Sequence, residues 1–171
     1  FPSPCDGILL GYPTGGKRVS KTVDATAKEV NGYDQLFKYR FIERGFDGIN
    51  GLHEMLLSLA TSRDCVMLNG SMTDYAKAST EPLRRISAGH HDDVEPSIQD
   101  CARRLVALDL DDSIPEGWDI KQPHIGARAV MQELGFGDVS FVLQLTSKQK
   151  PDGSNCRMRI YFLLIDPIFS S

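Results

Sequence analysis

LVALDLDD, residues 105–112, places three carboxylates at the end of an apolar run, the pattern of a strand that stops where its side chains meet solvent. In a strand, side chains two apart point the same way. Asp109 and Asp111 are therefore predicted to project from one face while Leu108 and Leu110 pack on the other. Two carboxylates fixed side by side repel unless positive charge sits between them, and a divalent cation held by oxygen ligands is the usual answer. A metal site is accordingly the first expectation. The competing reading is structural: acidic residues after a strand also form turns and caps, and Asp112-Ser113 before Ile114-Pro115 has turn composition.

Working outward toward the C-terminus, a loop with Pro115, Gly117 and Trp118 leads to a helix expected over 125–134, with Ile125, Ala129 and Val130 on its apolar face and Gly135 as C-cap. VSFVLQL (139–145) and CRMRIYFLLI (156–165) are predicted strands, joined through the polar PDGSN region into a hairpin. The period of two puts Arg157 and Arg159 on one face of the second strand, continued by Tyr161. For both arginines the plain alternative is a solvated strand face, or a salt bridge to the dicarboxylate edge with no ligand involved.

Toward the N-terminus, residues 1–20 are rich in Gly and Pro and read as irregular, with Ile8 to Leu10 as one short apolar piece. Gly15-Gly16-Lys17 lacks the first Gly and the hydroxyl residue after Lys that a phosphate loop needs, and is discounted. Residues 19–30 suit a short strand or helical piece before an Asn31-Gly32 turn. From 33 to 44, Tyr33, Phe37, Tyr39 and Phe41 interleave with Lys38 and Arg40, which fits a half-buried strand or a surface that stacks bases and holds phosphates. A helix is expected over 49–60 with His53 at its surface, then a strand over 65–68 and an Asn69-Gly70 turn. Residues 71–96 are polar, and Arg84 and Arg85 are candidates for phosphate contact. Gly89-His90-His91-Asp92-Asp93 reads as a polar loop, because adjacent residues rarely converge on one ion. Residues 96–102 suit a short helical piece.

A chain of 171 residues suits one domain, with an N-terminal α/β portion over 1–100 and a portion over 101–171 that carries the acidic strand and the hairpin. A formal net charge of −4 argues against a generally basic nucleic-acid coat and leaves room for a local basic groove beside an acidic site. Cys5, Cys65, Cys101 and Cys156 are scattered without a CxxC pair, so reduced core thiols are expected rather than a zinc site. No stretch has membrane-spanning length or the layout of a signal peptide, which predicts a soluble intracellular protein, cytoplasmic in a prokaryotic cell, with no membrane partner. Phe1 in place of an initiator Met, and a stop at Ser171 just past an apolar strand, predict a piece of a longer polypeptide.

The order of these parts is informative: a strand ending in Asp-x-Asp, a helix, a strand ending in Thr146-Ser147-Lys148, a Gly-containing loop, and a basic-apolar strand ending near Pro167. Over residues 103–168 the chain resembles the archaeo-eukaryotic primase superfamily, the primases and primase-polymerases of replication, in its phage and mobile-element form. The resemblance implies an α+β fold: a primase catalytic core with an RRM-like, mostly antiparallel sheet flanked by helices, at the N-terminal part of a longer replication protein. It implies a DNA primase or primase-polymerase, a nucleotidyltransferase serving replication of a phage, plasmid or mobile element. Asp109 and Asp111 would be the catalytic pair holding Mg²⁺ or Mn²⁺, with Asp166 as a third metal ligand. Ser147, Lys148, Arg157 and Arg159 would bind the nucleotide triphosphate, and Lys38, Arg40, Arg84 and Arg85 the nucleic acid. Implied partners are a single-stranded DNA template, nucleoside triphosphates and a helicase, fused or separate. Two positions depart from the family pattern. No His follows Ser147 on the second strand, where Arg159 stands instead, and Asp166 lies at a strand end before Pro167.

Two rivals belong to other classes. ALDLDDSI also resembles the opening motif of haloacid dehalogenase-type phosphohydrolases, in which the first Asp is a nucleophile and the second an acid/base. That family needs further parallel strands, and only about 60 residues follow Asp111. The other rival is a non-catalytic replication-initiation or nucleic-acid-binding module on a primase-like fold.

Overall fold

A computed structural model of the chain describes residues 7–15, 17, 22–23, 26, 28–31, 38–62, 64–89, 93–111 and 113–169. Cys5, Gly16, Tyr33 to Phe37, His90 to Asp92, Asp112 and much of 19–30 lie outside the described residues. The protein is a small α+β molecule with antiparallel sheets and few helices. It divides into two compact units, one made of Phe1–Ser20, Tyr33–Arg104 and Ile165–Ser171, the other of Lys21–Gly32 and Leu105–Leu164.

The first unit is built on a three-stranded sheet in which β1 (Gly7–Pro13) lies between β4 (Tyr39–Gly45) and β5 (Val66–Leu68), antiparallel to both. Ile8, Leu9 and Leu10 are buried in succession, as in a strand covered on both faces. The stretch expected to be irregular is therefore the central strand. Its glycines mislead because they serve packing: a Cβ on Gly11 would stand 3.0 Å from Leu68 Cδ1 and 3.1 Å from Tyr39 Cδ1. Helix α1 (Gly48–Ala60) matches its expected bounds, with Leu52, Met55 and Leu56 as its buried stripe and His53 exposed.

The polar segment after β5 holds more order than its composition suggests. β6 (Ser71–Met72) pairs antiparallel with β7 (Ile98–Gln99), and between them stands the short helix α2 (Asp74–Ala78). Thr73 caps that helix: its Oγ1 accepts from the Ala76 amide at 3.2 Å and donates to the Pro96 carbonyl at 2.7 Å. Residues 96–102 are thus not helical, and Ile98–Gln99 within them is a strand. Pairing with β6 and the buried Ser97 hydroxyl, which accepts from the Ile86 amide and donates to the Arg84 carbonyl, hold them so.

Gly70, at the turn between β5 and β6, has a φ of +97°. A Cβ there would lie 2.6 Å from the Gln99 carbonyl oxygen and 2.7 Å from Ile98 Cγ2. Gly70→Ala is expected to cost about 2–4 kcal/mol through left-handed strain and steric overlap. A urea midpoint equal to that of the parent protein would contradict this account.

The second unit contains the hairpin β2 (Thr22–Val23) and β3 (Glu29–Asn31) and a sheet of order β8-β10-β9. Strand β8 (Arg103–Asp111) is the LVALDLD run, β9 (Phe141–Leu145) the first hairpin strand, and β10 (Arg157–Ile168) the second; the outermost residues of β8 and β10 group with the first unit. Even-numbered residues of β8 and β10, Val106, Leu108, Leu110, Met158, Ile160, Phe162 and Leu164, face one core with Cys156, Phe141 and Leu143. Helix α3 (Pro123–Glu133) supplies Ala127 and Met131 to it.

The expected apolar face of α3 holds at Val130, which packs on the core, and is shifted at Ile125. Ile125 is 43% exposed, while Gly126, Ala127 and Met131 are buried. The loop after β8 explains the shift: Pro115 and Trp118 pack so closely on Gly126 that a Cβ would meet them at 3.0 and 3.2 Å. Gly135 follows the helix at a φ of +82°, as expected of its C-cap. Arg128 secures the return to β9, donating to the Gly137 and Val139 carbonyls at 2.6 and 2.9 Å with its guanidinium 4.5 Å from the Phe141 ring centroid. Among the described residues no helix is long and apolar enough to cross a membrane. Cys65, Cys101 and Cys156 are free thiols; Cys156 is fully buried, and burial pushes its pKa up.

Candidate active site on the charged face of the second unit

If even positions of β8 and β10 build the core, odd positions must emerge on the opposite face. Asp109 and Asp111 of β8 do so, beside Arg157, Arg159 and Tyr161 of β10. The paired acids and the paired arginines face one another across adjacent strands. Arg159 grips Asp109 through two donors: Nε donates to Oδ1, and Nη2 to Oδ2 at 2.8 Å. Arg157 Nη1 lies 2.9 Å from Asp111 Oδ1. The two pairs form a ladder across β8 and β10.

The carboxylates are the open side of this ladder, with Asp109 and Asp111 side chains 54% and 65% exposed against 37% and 21% for Arg159 and Arg157. Arg159 reaches further inward, its Nη1 donating at 3.5 Å to the hydroxyl of Tyr161. Tyr161 is buried, and its hydroxyl donates to Gln144 Oε1 at 3.0 Å. Gln144 stands opposite Arg159 in the β9–β10 register. The carboxylate hydrogen bonds hold the Arg159 guanidinium above its ordinary pKa, with the Tyr161 contact adding to them. Burial pushes the Tyr161 phenol up, partly offset by Arg159. Both groups therefore keep their protons throughout the neutral range.

Gln144 was not singled out from the sequence, although it is the polar residue within the VLQL of β9. Only the register of the hairpin identifies its neighbour. Ser147 and Lys148 are exposed in the turn that follows β9, and the Lys148 carbonyl accepts from Asn155 Nδ2 at 3.2 Å. The same turn is held by Gln149, which bridges to Asn155 and accepts from the Arg157 amide, and by the Trp118 indole N–H, which donates to the Gly153 carbonyl at 3.0 Å. Asp166 is exposed on the part of β10 that groups with the first unit. Among the described residues, no three His, Cys, Asp or Glu side chains converge to hold a metal ion.

The four residues expected to contact nucleic acid, Lys38, Arg40, Arg84 and Arg85, are all exposed in the first unit. Reciprocal backbone hydrogen bonds between Tyr39 and Leu83, of 2.8 and 2.9 Å, bring the Lys38-Tyr39-Arg40 strand alongside Leu83-Arg84-Arg85. The four residues therefore lie on adjoining stretches of backbone in that unit. Comparison of the chain with protein-family models, with curated proteins and with solved structures gave no match.

Proposed function

We propose that the protein is a nucleotidyltransferase of primase type, joining nucleotides on a single-stranded DNA template, with an archaeo-eukaryotic primase-like core built around β8, β9 and β10. One observation carries this reading: two acids and two arginines meet on one face of adjacent strands, with the acids as the exposed side. That is the donor set a polymerising site needs, hard oxygens for a divalent cation and guanidinium forks for phosphate.

Asp109 and Asp111 fit Mg²⁺ or Mn²⁺ by donor chemistry: they are hard carboxylates on side chains more than half exposed, and such ions commonly bind one or two carboxylates and complete their shell with water and substrate phosphate. Bound divalent ions supply neutralisation of the triphosphate and activation of a primer 3′-hydroxyl. The rest falls to the chain. Arg159 and Arg157 would bind the phosphates, Arg159 held in position by Tyr161 and Gln144, with Ser147 and Lys148 as further contacts from the turn after β9. Lys38, Arg40, Arg84 and Arg85 would engage template phosphates, which fix position without reading sequence.

A second reading is favoured by the same ladder. Each acid already has an arginine partner, as in a non-catalytic nucleic-acid-binding module where the charges serve the sheet. No observation favours a haloacid dehalogenase-type phosphohydrolase, whose sheet is parallel; β9 and β10 pair antiparallel in the sheet that carries Asp109. The deciding experiment is nucleotide incorporation on a primed and an unprimed single-stranded template with Mg²⁺ or Mn²⁺. Template-dependent extension supports the enzyme. Template binding without incorporation, across both metals and both ribo- and deoxynucleotides, supports the module.

A further inference from the structure

Two carboxylates and two guanidiniums make two direct ion pairs across adjacent strands. A divalent cation approaching Asp109 and Asp111 meets oxygens already committed to Arg159 and Arg157, and two positive charges beside them. A polyphosphate approaching the arginines meets the mirror problem, since the guanidinium edge it needs faces Asp109 through two donors. Either ligand alone must break an ion pair and leave a like-charged group next to it. Both together replace two cross-strand pairs with two new ones, cation on carboxylate and guanidinium on phosphate, so that each group again faces an unlike charge.

Resting on the nucleotidyltransferase reading, we infer that the Asp109–Arg159 and Asp111–Arg157 pairs form an exchange latch that couples binding of the divalent cation to binding of the triphosphate. Arg159 is suited to the transfer. Its Nη1 stays anchored by the buried Tyr161 hydroxyl, itself fixed by Gln144, so the guanidinium can pivot from carboxylate to phosphate without leaving the face. The carboxylates are the more exposed members of each pair, so solvent reaches them first. The latch keeps each carboxylate on its arginine when either ligand is missing, so metal alone or nucleotide alone binds poorly.

Two titrations test this on the intact protein. In the first, Mn²⁺ alone is titrated and the free ion followed by electron paramagnetic resonance. Arg159→Gln and, separately, Arg157→Gln should bind Mn²⁺ about tenfold or more tightly than the parent protein, because each frees a carboxylate and removes an opposing charge; coupling energies of this kind typically correspond to about 5- to 150-fold. In the second, a fluorescent nucleoside triphosphate is titrated into the parent protein with Mn²⁺ or with chelator, and Mn²⁺ should tighten binding by a comparable factor. Circular dichroism checks that each variant is folded, and the second titration needs no variant. If the parent binds Mn²⁺ and triphosphate independently and the glutamine variants bind Mn²⁺ no more tightly, the latch is overturned while the enzymatic reading stands. If the parent and both variants bind neither ligand, the reading itself falls and the latch with it.

Discussion

The double variant Asp109→Ala/Asp111→Ala is expected to lose at least about 10³-fold in template-directed nucleotide incorporation, since removing the cation ligands forfeits several kcal/mol of charge stabilisation at about 1.4 kcal/mol per tenfold in rate. The loss should come without unfolding. Both carboxylates are more than half exposed, and an ion pair of that exposure contributes about 0–1 kcal/mol. The arginines left behind sit partly in solvent and can rehydrate. Incorporation and a denaturant midpoint should therefore be measured on the same preparation. Undiminished incorporation by a folded double variant would remove the two-acid mechanism. A collapse of both activity and midpoint would instead show that the ladder is structural, as the second reading requires.

The largest effect on stability is expected at Phe162. Its ring is 1% exposed, packs at 5.0 Å between centroids against Phe136, and lies in the core shared by β8, β10 and α3. Phe162→Ala should cost about 3–5 kcal/mol, the sum of lost transfer energy and an unfilled cavity. That is a large fraction of the roughly 5–15 kcal/mol available to a whole domain. Ile165, three residues further along the same strand, is 91% exposed, and Ile165→Ala should stay within about 0.5 kcal/mol. Urea denaturation of the two variants side by side checks the contrast. Similar midpoints would mean that the even-numbered face of β10 is not the core.

Where a strong period of two ran through several residues, the sequence was readable. The split between Leu108/Leu110 and Asp109/Asp111, and the common face of Arg157, Arg159 and Tyr161, follow from alternation alone. Helix α1 was equally legible from its apolar spacing. Glycine and proline defeated the same method at β1, because they signal turns by default, whereas Gly11 here makes space for Leu68 and Tyr39. Residues 96–102 and the shift of the α3 face at Ile125 were hidden for another reason. Their conformation is decided by partners distant in sequence, Met72 for Ile98 and the Pro115–Trp118 loop for Gly126. The site divides along the same line. Its charged residues could be picked from the chain, but the pairing of Arg159 with Asp109 and the support from Gln144 depend on strand register.

The indole of Trp118, the sole tryptophan of the chain, is moored to the Gly153 carbonyl at the tip of the hairpin that presents both arginines. Nature has thereby placed an optical probe on that tip. Any event that lifts the tip from its mooring changes the polarity around one chromophore, and intrinsic emission reports it with no label attached.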